Sequence, residues 1–246
     1  MAHRDFWLYV IYGIMAFFWL PAYILIARRG FIEKTFGMPI VAMLGNWPWE
    51  WIYGLKLDSP CLQVWDACSK VEGWLQFANF ASACLDTFIV YTIFKFGRDK
   101  ISNPFFKEYY YPILIFSLIA SFAIQVTFIR EVGFPNPQHQ LVGGRDQPFF
   151  IGDEGGTYSG FILTFIMGVL FIQMLTQRNS LEGQSFIIAL AMTLGNVAAY
   201  IFVLAVKTQS PFLDALFYST LIVNVVYVIM TYRKSIELHI NPWTHW

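Results

Sequence analysis

The sequence predicts an all-α integral membrane protein: one transmembrane domain of seven helices over residues 1–246, with the N-terminus outside or lumenal and the C-terminus cytosolic. Three observations point there. The chain is 57% hydrophobic and 19% aromatic but only 13% charged, about half the charge of an ordinary soluble domain, where roughly 25% is usual. Its apolar residues gather into seven segments, at about 6–27, 36–55, 73–96, 110–129, 157–176, 184–205 and 212–232. Each is near the ~20 residues a helix needs to cross ~30 Å of hydrocarbon. Continuous apolar runs of that length form helices, because the backbone must satisfy its own hydrogen bonds in lipid. Finally, ten of the sixteen Lys and Arg residues fall after spans one, three and five or in the C-terminal tail. By the positive-inside rule that side is cytosolic.

Taken in order, the first span begins almost at once. It is too long for the apolar core of a signal peptide and no small-residue cleavage site follows, so it is expected to stay in the protein. The second span, within TFGMPIVAMLGNWPWEWIY at 35–53, holds Glu50 between two tryptophans, and Pro48 predicts a kink just before the acid. The third, at 73–96, is the most polar: Gln76, Asn79, Ser82 and Asp86 recur on approximately one helical face. The fourth carries a stripe of Ser117, Ser121 and Gln125. The Gly- and Pro-rich connection at 130–156 reads as irregular surface chain, with Gly152-Asp153-Glu154-Gly155 as a turn. In the sixth span Asn196 and Tyr200 lie one turn apart. In the seventh, Thr220, Asn224 and Tyr227 follow one another, and Asp214 after Ser210-Pro211 is expected to cap the helix. Cys61 and Cys68 share a loop and can pair only outside the cytosol, while Cys84 reads as a small packing residue. No internal repeat and no second domain is visible.

The informative residues are the acids. An ionisable group inside a span costs roughly 2.5–3.5 kcal/mol on insertion scales and is therefore expected to face the protein interior. Asn46, Glu50, Tyr53 and Gly54 share one helical face. With the orientation above, Glu50 sits roughly 8 Å below the outer boundary at 1.5 Å per residue, and Asp86 is about midway through its span. Glu50 reads either as the proton donor of a cavity or as an interfacial carboxylate among belt tryptophans. The Asn, Ser and Gln stripes read either as cavity lining or as hydrogen-bonding glue between helices, at around 0.6 kcal/mol each. Zero net charge speaks against a nucleic-acid partner. All four histidines lie in loops or tails, and neither an aspartate-rich magnesium motif nor zinc spacing occurs. What is left is acid–base chemistry on an apolar substrate.

Thr35-Phe36-Gly37-Met38-Pro39, followed by Asn46, Trp49-Glu50 and Tyr53, resembles the small integral-membrane terpene cyclases of paspaline-type indole-diterpene and pyripyropene-type meroterpenoid pathways. The likeness covers essentially the full length and includes 85–97 and the tail at 227–234. It implies seven spans and an enzyme that protonates a terminal epoxide or alkene of a prenyl chain, starting a cation cascade that closes rings. The family's first acid carries over to Glu50. Its last-span aspartate falls on Asn224, so Asp86 is expected to supply the second acid, with Asn224 as its partner. The implied site then has Glu50 and Asp86 as catalytic acids, with Asn46, Trp49, Tyr53, Asn79, Asn196, Tyr200, Asn224 and Tyr227 against the substrate. Trp49, Tyr200 and Tyr227 offer ring faces to a migrating cation. No metal or organic cofactor is required. The implied partners are a hydrophobic prenylated substrate, the bilayer, and the prenyltransferase and epoxidase of the same pathway. The implied location in a eukaryote is the endoplasmic reticulum or a related endomembrane. Three other readings stay open at this point: a proton-coupled carrier, a non-catalytic membrane partner of a biosynthetic enzyme, and a relative that acts on a polyketide.

Overall fold

In the computed structural model the described residues are 2–55, 70–133, 154–206 and 210–246, and among them no strand occurs. Eight α-helices follow in order: α1 (Ala2–Ile32), α2 (Ile40–Gly54), α3 (Lys70–Phe96), the short α4 (Pro104–Glu108), α5 (Tyr110–Gly133), α6 (Glu154–Arg178), α7 (Phe186–Val206) and α8 (Pro211–Glu237). A 3-10 turn at Arg98–Lys100 precedes α4. Apart from α4, each helix coincides with one of the seven expected segments. Six of them are long and apolar enough to cross a membrane. The exception is α2, whose 15 residues give a length of only about 22 Å. The connection expected at 130–156 is shorter at both ends, since α5 runs to Gly133 and α6 already includes Glu154. Gly152, Asp153, Cys61 and Cys68 lie outside the described residues.

Local chemistry fixes the element ends. The α1 helix closes where Lys34 takes a left-handed φ of 51° and the Thr35 N–H returns to the Gly30 carbonyl at 3.0 Å, a Schellman-type stop that satisfies that carbonyl. Asn103 caps α4 by accepting from the Phe106 N–H. At α8 the expected cap is corrected. Ser210 accepts from the Leu213 N–H with Pro211 at the first helical position, and Asp214 sits inside the first turn. The hydroxyl is one residue before the proline, where the chain is still extended, so it is the group that reaches back to the free N–H. The α2 helix is unbroken through Pro48.

The packing order is α1 against α7 and α3, α2 against α3, α5 and α6, and α8 against α6 and α7. Ile26, Met38, Met43, Ile89, Phe171, Ile188, Met192 and Tyr227 belong to one buried core. Large apolar side chains also point outward, among them Phe17, Phe88, Phe116, Ile119 and Ile222, the surface expected of a protein whose solvent is lipid. The ends of α1, α3, α6 and α8, which carry Arg29, Lys95, Arg178 and Lys234 in their last turns, are called the basic end below. Glu50, near the C-terminus of α2, is in the opposite half.

Candidate functional site: a buried acid pair

Three helices meet at the acids. On α2, Asn46 and Glu50 are one turn apart and each is only 5% exposed. Asp86, from the middle of α3, is fully buried. From α1 comes Tyr23, 3% exposed, whose hydroxyl donates to Glu50 Oε1 at 3.1 Å. Asn46 Nδ2 donates to the Tyr23 hydroxyl at 3.0 Å and to Asp86 Oδ2 at 2.7 Å. One amide and one phenol thereby tie both acids together. Trp47 Nε1 donates to Thr87 Oγ1 at 3.0 Å, fixing α2 against α3 beside Asp86. Trp19 stacks on Tyr23 with ring centroids 5.4 Å apart and lies over Gly195 of α7, where a Cβ would come within 2.7 Å of the indole.

Counting hydrogens assigns the free positions. Asn46 has two amide hydrogens and uses both; Tyr23 has one and spends it on Glu50. Glu50 Oε1 and Asp86 Oδ2 are thus acceptors. Glu50 Oε2 and Asp86 Oδ1 are buried without a partner, so a proton on either acid resides there. Among the described residues the ion pairs are Arg29–Glu33, Lys100–Glu182 and Lys234–Glu237, and none of these cations is bonded to the acid pair. No group of three His, Cys, Asp or Glu able to hold a metal occurs among the described residues.

The other expected residues disperse. Asn224 is 1% exposed, but both amide atoms lack a hydrogen-bond partner. Asp86's amide partner is therefore Asn46, which corrects the expected Asp86–Asn224 pair. The reason is positional: α2 lies directly on α3, whereas Asn224 Oδ1 lies close over Gly168 of α6. Trp49 turns to α6, donating to Ser159 Oγ at 3.0 Å and lying over Gly160, with Tyr53 tilted against it at 4.5 Å. Asn79 is half-buried on α3, and the Asn79–Phe80 backbone approaches so near Gly54 that no Cβ would fit there. Asn196 is buried one turn before Tyr200. Tyr200 donates to Asp214 and stacks on Phe217 at 3.7 Å. Tyr227 is at the basic end, where it donates to Gln184 Oε1 at 2.8 Å. Gln125 Nε2 bonds the Gly45 carbonyl and Ser121, which is interhelical glue. Tyr23 was not among the expected residues. Its one sequence signal is a stripe of Tyr12, Trp19 and Tyr23, spaced seven and four residues apart on one face of α1.

Comparison with known proteins adds the lineage. The family model of Pyr4-like transmembrane terpene cyclases matches residues 6–232. The Pyr4-family terpene cyclase mfmH of Annulohypoxylon moriforme is 26% identical over 182 residues, 74% of this chain and 63% of that protein. The terpene cyclase spyD of Aspergillus fumigatus is 23% identical over 193 residues, 78% of this chain and 69% of its own length. The terpene cyclase ascF of Acremonium egyptiacum is 33% identical over 79 residues, 32% of this chain and 24% of the relative. The match thus spans less than two thirds of mfmH. No solved structure matches.

Proposed function

Because this chain belongs to the Pyr4-like transmembrane terpene cyclases, we propose that it is a membrane-bound cyclase of secondary metabolism in which Glu50 protonates a prenylated substrate and so initiates cationic ring closure. The observation that carries this reading is Glu50 Oε2: an oxygen of a buried carboxyl, free of protein partners, on a side chain whose other oxygen is held by Tyr23. A carboxyl away from water and from any cation is far cheaper to bury neutral than charged, and a neutral carboxyl is what an acid catalyst must be before it acts.

The proton on Oε2 passes to an epoxide oxygen, breaking a carbon–oxygen bond, or to an alkene carbon. The cation is then attacked by the next double bond, and each attack forms a carbon–carbon bond. Loss of a proton from the last cation ends the sequence, so the product is an isomer of the substrate. Asp86 Oδ1, also free, is the second acid or the terminal base. Asn46 and Tyr23 hold the two carboxyls, and the unpartnered Asn224 amide is suited to a substrate oxygen. Trp49, Tyr53, Asn79, Asn196 and Tyr200 are assigned to substrate packing, with aromatic faces steadying positive charge. Every step uses side chains alone. In this reading a prenyltransferase and an epoxidase of the same pathway supply the substrate, within an endomembrane of a eukaryotic host.

Glu50→Gln tests it. Glutamine keeps the shape and keeps an oxygen for Tyr23, but carries no transferable proton. Membranes holding the variant, fed an epoxidised prenyl-aromatic compound and its unoxidised form, are expected to yield no cyclised product at wild-type expression and insertion. Undiminished turnover would remove Glu50 from the mechanism.

A further inference from the structure

At the basic end the unpartnered buried atoms include the N–H groups Arg29 Nε, Arg178 Nη2 and Gln184 Nε2. Buried donors without partners are rare in native proteins and commonly mark an absent water or ion. Arg29 is 4% exposed and Gln184 fully buried, so bulk water does not reach these donors.

The three belong to one cluster. Tyr227 donates to Gln184 at 2.8 Å, and the turn that carries Gln184 also takes both guanidinium groups on its Leu181 and Glu182 carbonyls. Arg29 pairs with Glu33 and donates to the Leu181 carbonyl at 3.2 Å, while the second Glu33 oxygen accepts from the Gly183 N–H at 2.5 Å. Arg178 donates to the Phe36 and Glu182 carbonyls at 3.0 and 2.7 Å, with the Phe36 ring 4.3 Å from its guanidinium. Charge does not balance here. Arg29 is neutralised by Glu33 and Lys100 by Glu182, whereas Arg178 bonds only carbonyls. The turn 181–184 and the segment 35–38 join around a guanidinium, that of Arg178, which has no direct carboxylate partner.

We propose that this end of the bundle binds an oxyanion of the phosphate class, held by Arg29 Nε, Arg178 Nη2 and Gln184 Nε2. Such an anion accepts from all three donors and supplies the missing negative charge, with the planar guanidinium groups suited to its oxygens. A water would accept from two of them and bring hydrogens of its own to a cluster already rich in donors. The site does not depend on the cyclase reading, since it lies away from Glu50 and is tested by binding rather than by turnover. A soluble phosphate and a phospholipid headgroup share this chemistry.

The test is thermal unfolding of the full chain in phosphatidylcholine nanodiscs at fixed ionic strength. One arm titrates inorganic phosphate and another pyrophosphate, while a third replaces part of the lipid with phosphatidic acid and omits both. A saturable rise in melting temperature is expected from binding to the folded state. A rise with the soluble anions assigns the site to them, and a rise only with phosphatidic acid assigns it to a headgroup. Arg178→Gln is expected to weaken binding about tenfold or more, having lost a charge-assisted donor. Gln184→Glu places a carboxylate in the cluster and is expected to abolish the response while keeping the fold. No rise in any wild-type arm, or a response unchanged in Gln184→Glu, would overturn the proposal.

Discussion

Tyr23→Phe probes the acid pair most directly, because it deletes one oxygen and leaves the ring. Phenylalanine keeps the stack on Trp19 and fills nearly the same volume, so no cavity term arises. Two hydrogen bonds disappear: the 3.1 Å donation to Glu50 Oε1 and the 3.0 Å donation from Asn46. Glu50 is left with neither oxygen partnered, and Asn46 with one buried N–H unpaired. Each stranded buried group costs about 1–3 kcal/mol, so the loss is about 2–4 kcal/mol if the side chains partly relax. For a chain of this size that lowers the melting temperature by on the order of 5–10 °C. In the proposed mechanism Tyr23 positions the acid through its bond to Glu50. The variant should therefore lose kcat by about 10- to 100-fold, the scale of a misplaced reacting group, with KM little changed. Melting curves in detergent and product formation at saturating and limiting substrate measure the two effects. A wild-type melting temperature together with wild-type kcat would refute the hydrogen-bond assignment at Glu50. A raised KM at constant kcat would instead make Tyr23 a substrate contact.

Gly37→Ala should fail to accumulate in folded form, since a Cβ there would stand 2.6 Å from the Ile26 carbonyl oxygen and 3.0 Å from that of Gly183; solubilised yield and melting temperature report it, at a cost of about 1–3 kcal/mol or more. Gly195→Ala should push the Trp19 indole off its seat and, through the Trp19–Tyr23 stack, lower kcat more than stability, read by tryptophan fluorescence beside turnover. The His245 imidazole, in the tail outside the spans, is held below its usual pKa by partial burial and then by Arg29, with Glu33 opposing. Its unfolded form therefore takes up a proton first as pH falls. Stability contributed by the docked tail is complete above about pH 6.5 and declines as pH drops below it toward the folded value. Melting temperature measured between about pH 5 and pH 8 should show this decline in the wild type and a flatter profile in His245→Gln.

The helices and the first acid were readable because their signals are local. Span length and apolar runs are properties of consecutive residues, and a carboxyl in a run such as 40–54 is conspicuous by its cost alone. Tyr23 was not readable for the opposite reason: a tyrosine among aliphatic residues reads as packing until α1 is known to lie against the acids on α2 and α3. Asp86 is buried, as an ionisable group inside a span is expected to be, but a correspondence of positions along the chain points to Asn224 as its partner. The partner is Asn46, one turn from Glu50 and already on the face that carries it. The neighbours Ser210 and Pro211 point to Asp214 as a cap, whereas the hydroxyl of Ser210 itself fills that role and Asp214 receives Tyr200.

The stretch 35–53 serves more than the face that carries Glu50. Its first part, Phe36 and Gly37, is wedged at the basic end between α1 and the turn before α7, with Arg178 over the Phe36 ring. Its second part, Asn46 to Tyr53, is at the acid pair and α6. From Ile40 to Glu50 the helix advances about 15 Å, so the two parts serve opposite halves of the bundle. The tight fit at Gly37 fixes where α2 begins along α1, and a rigid helix then sets the height at which Glu50 meets Tyr23. A substitution at the wedge is thereby a perturbation of the acid as well as of the fold. Residues lining neither carboxyl govern whether Glu50 and its phenol are in register.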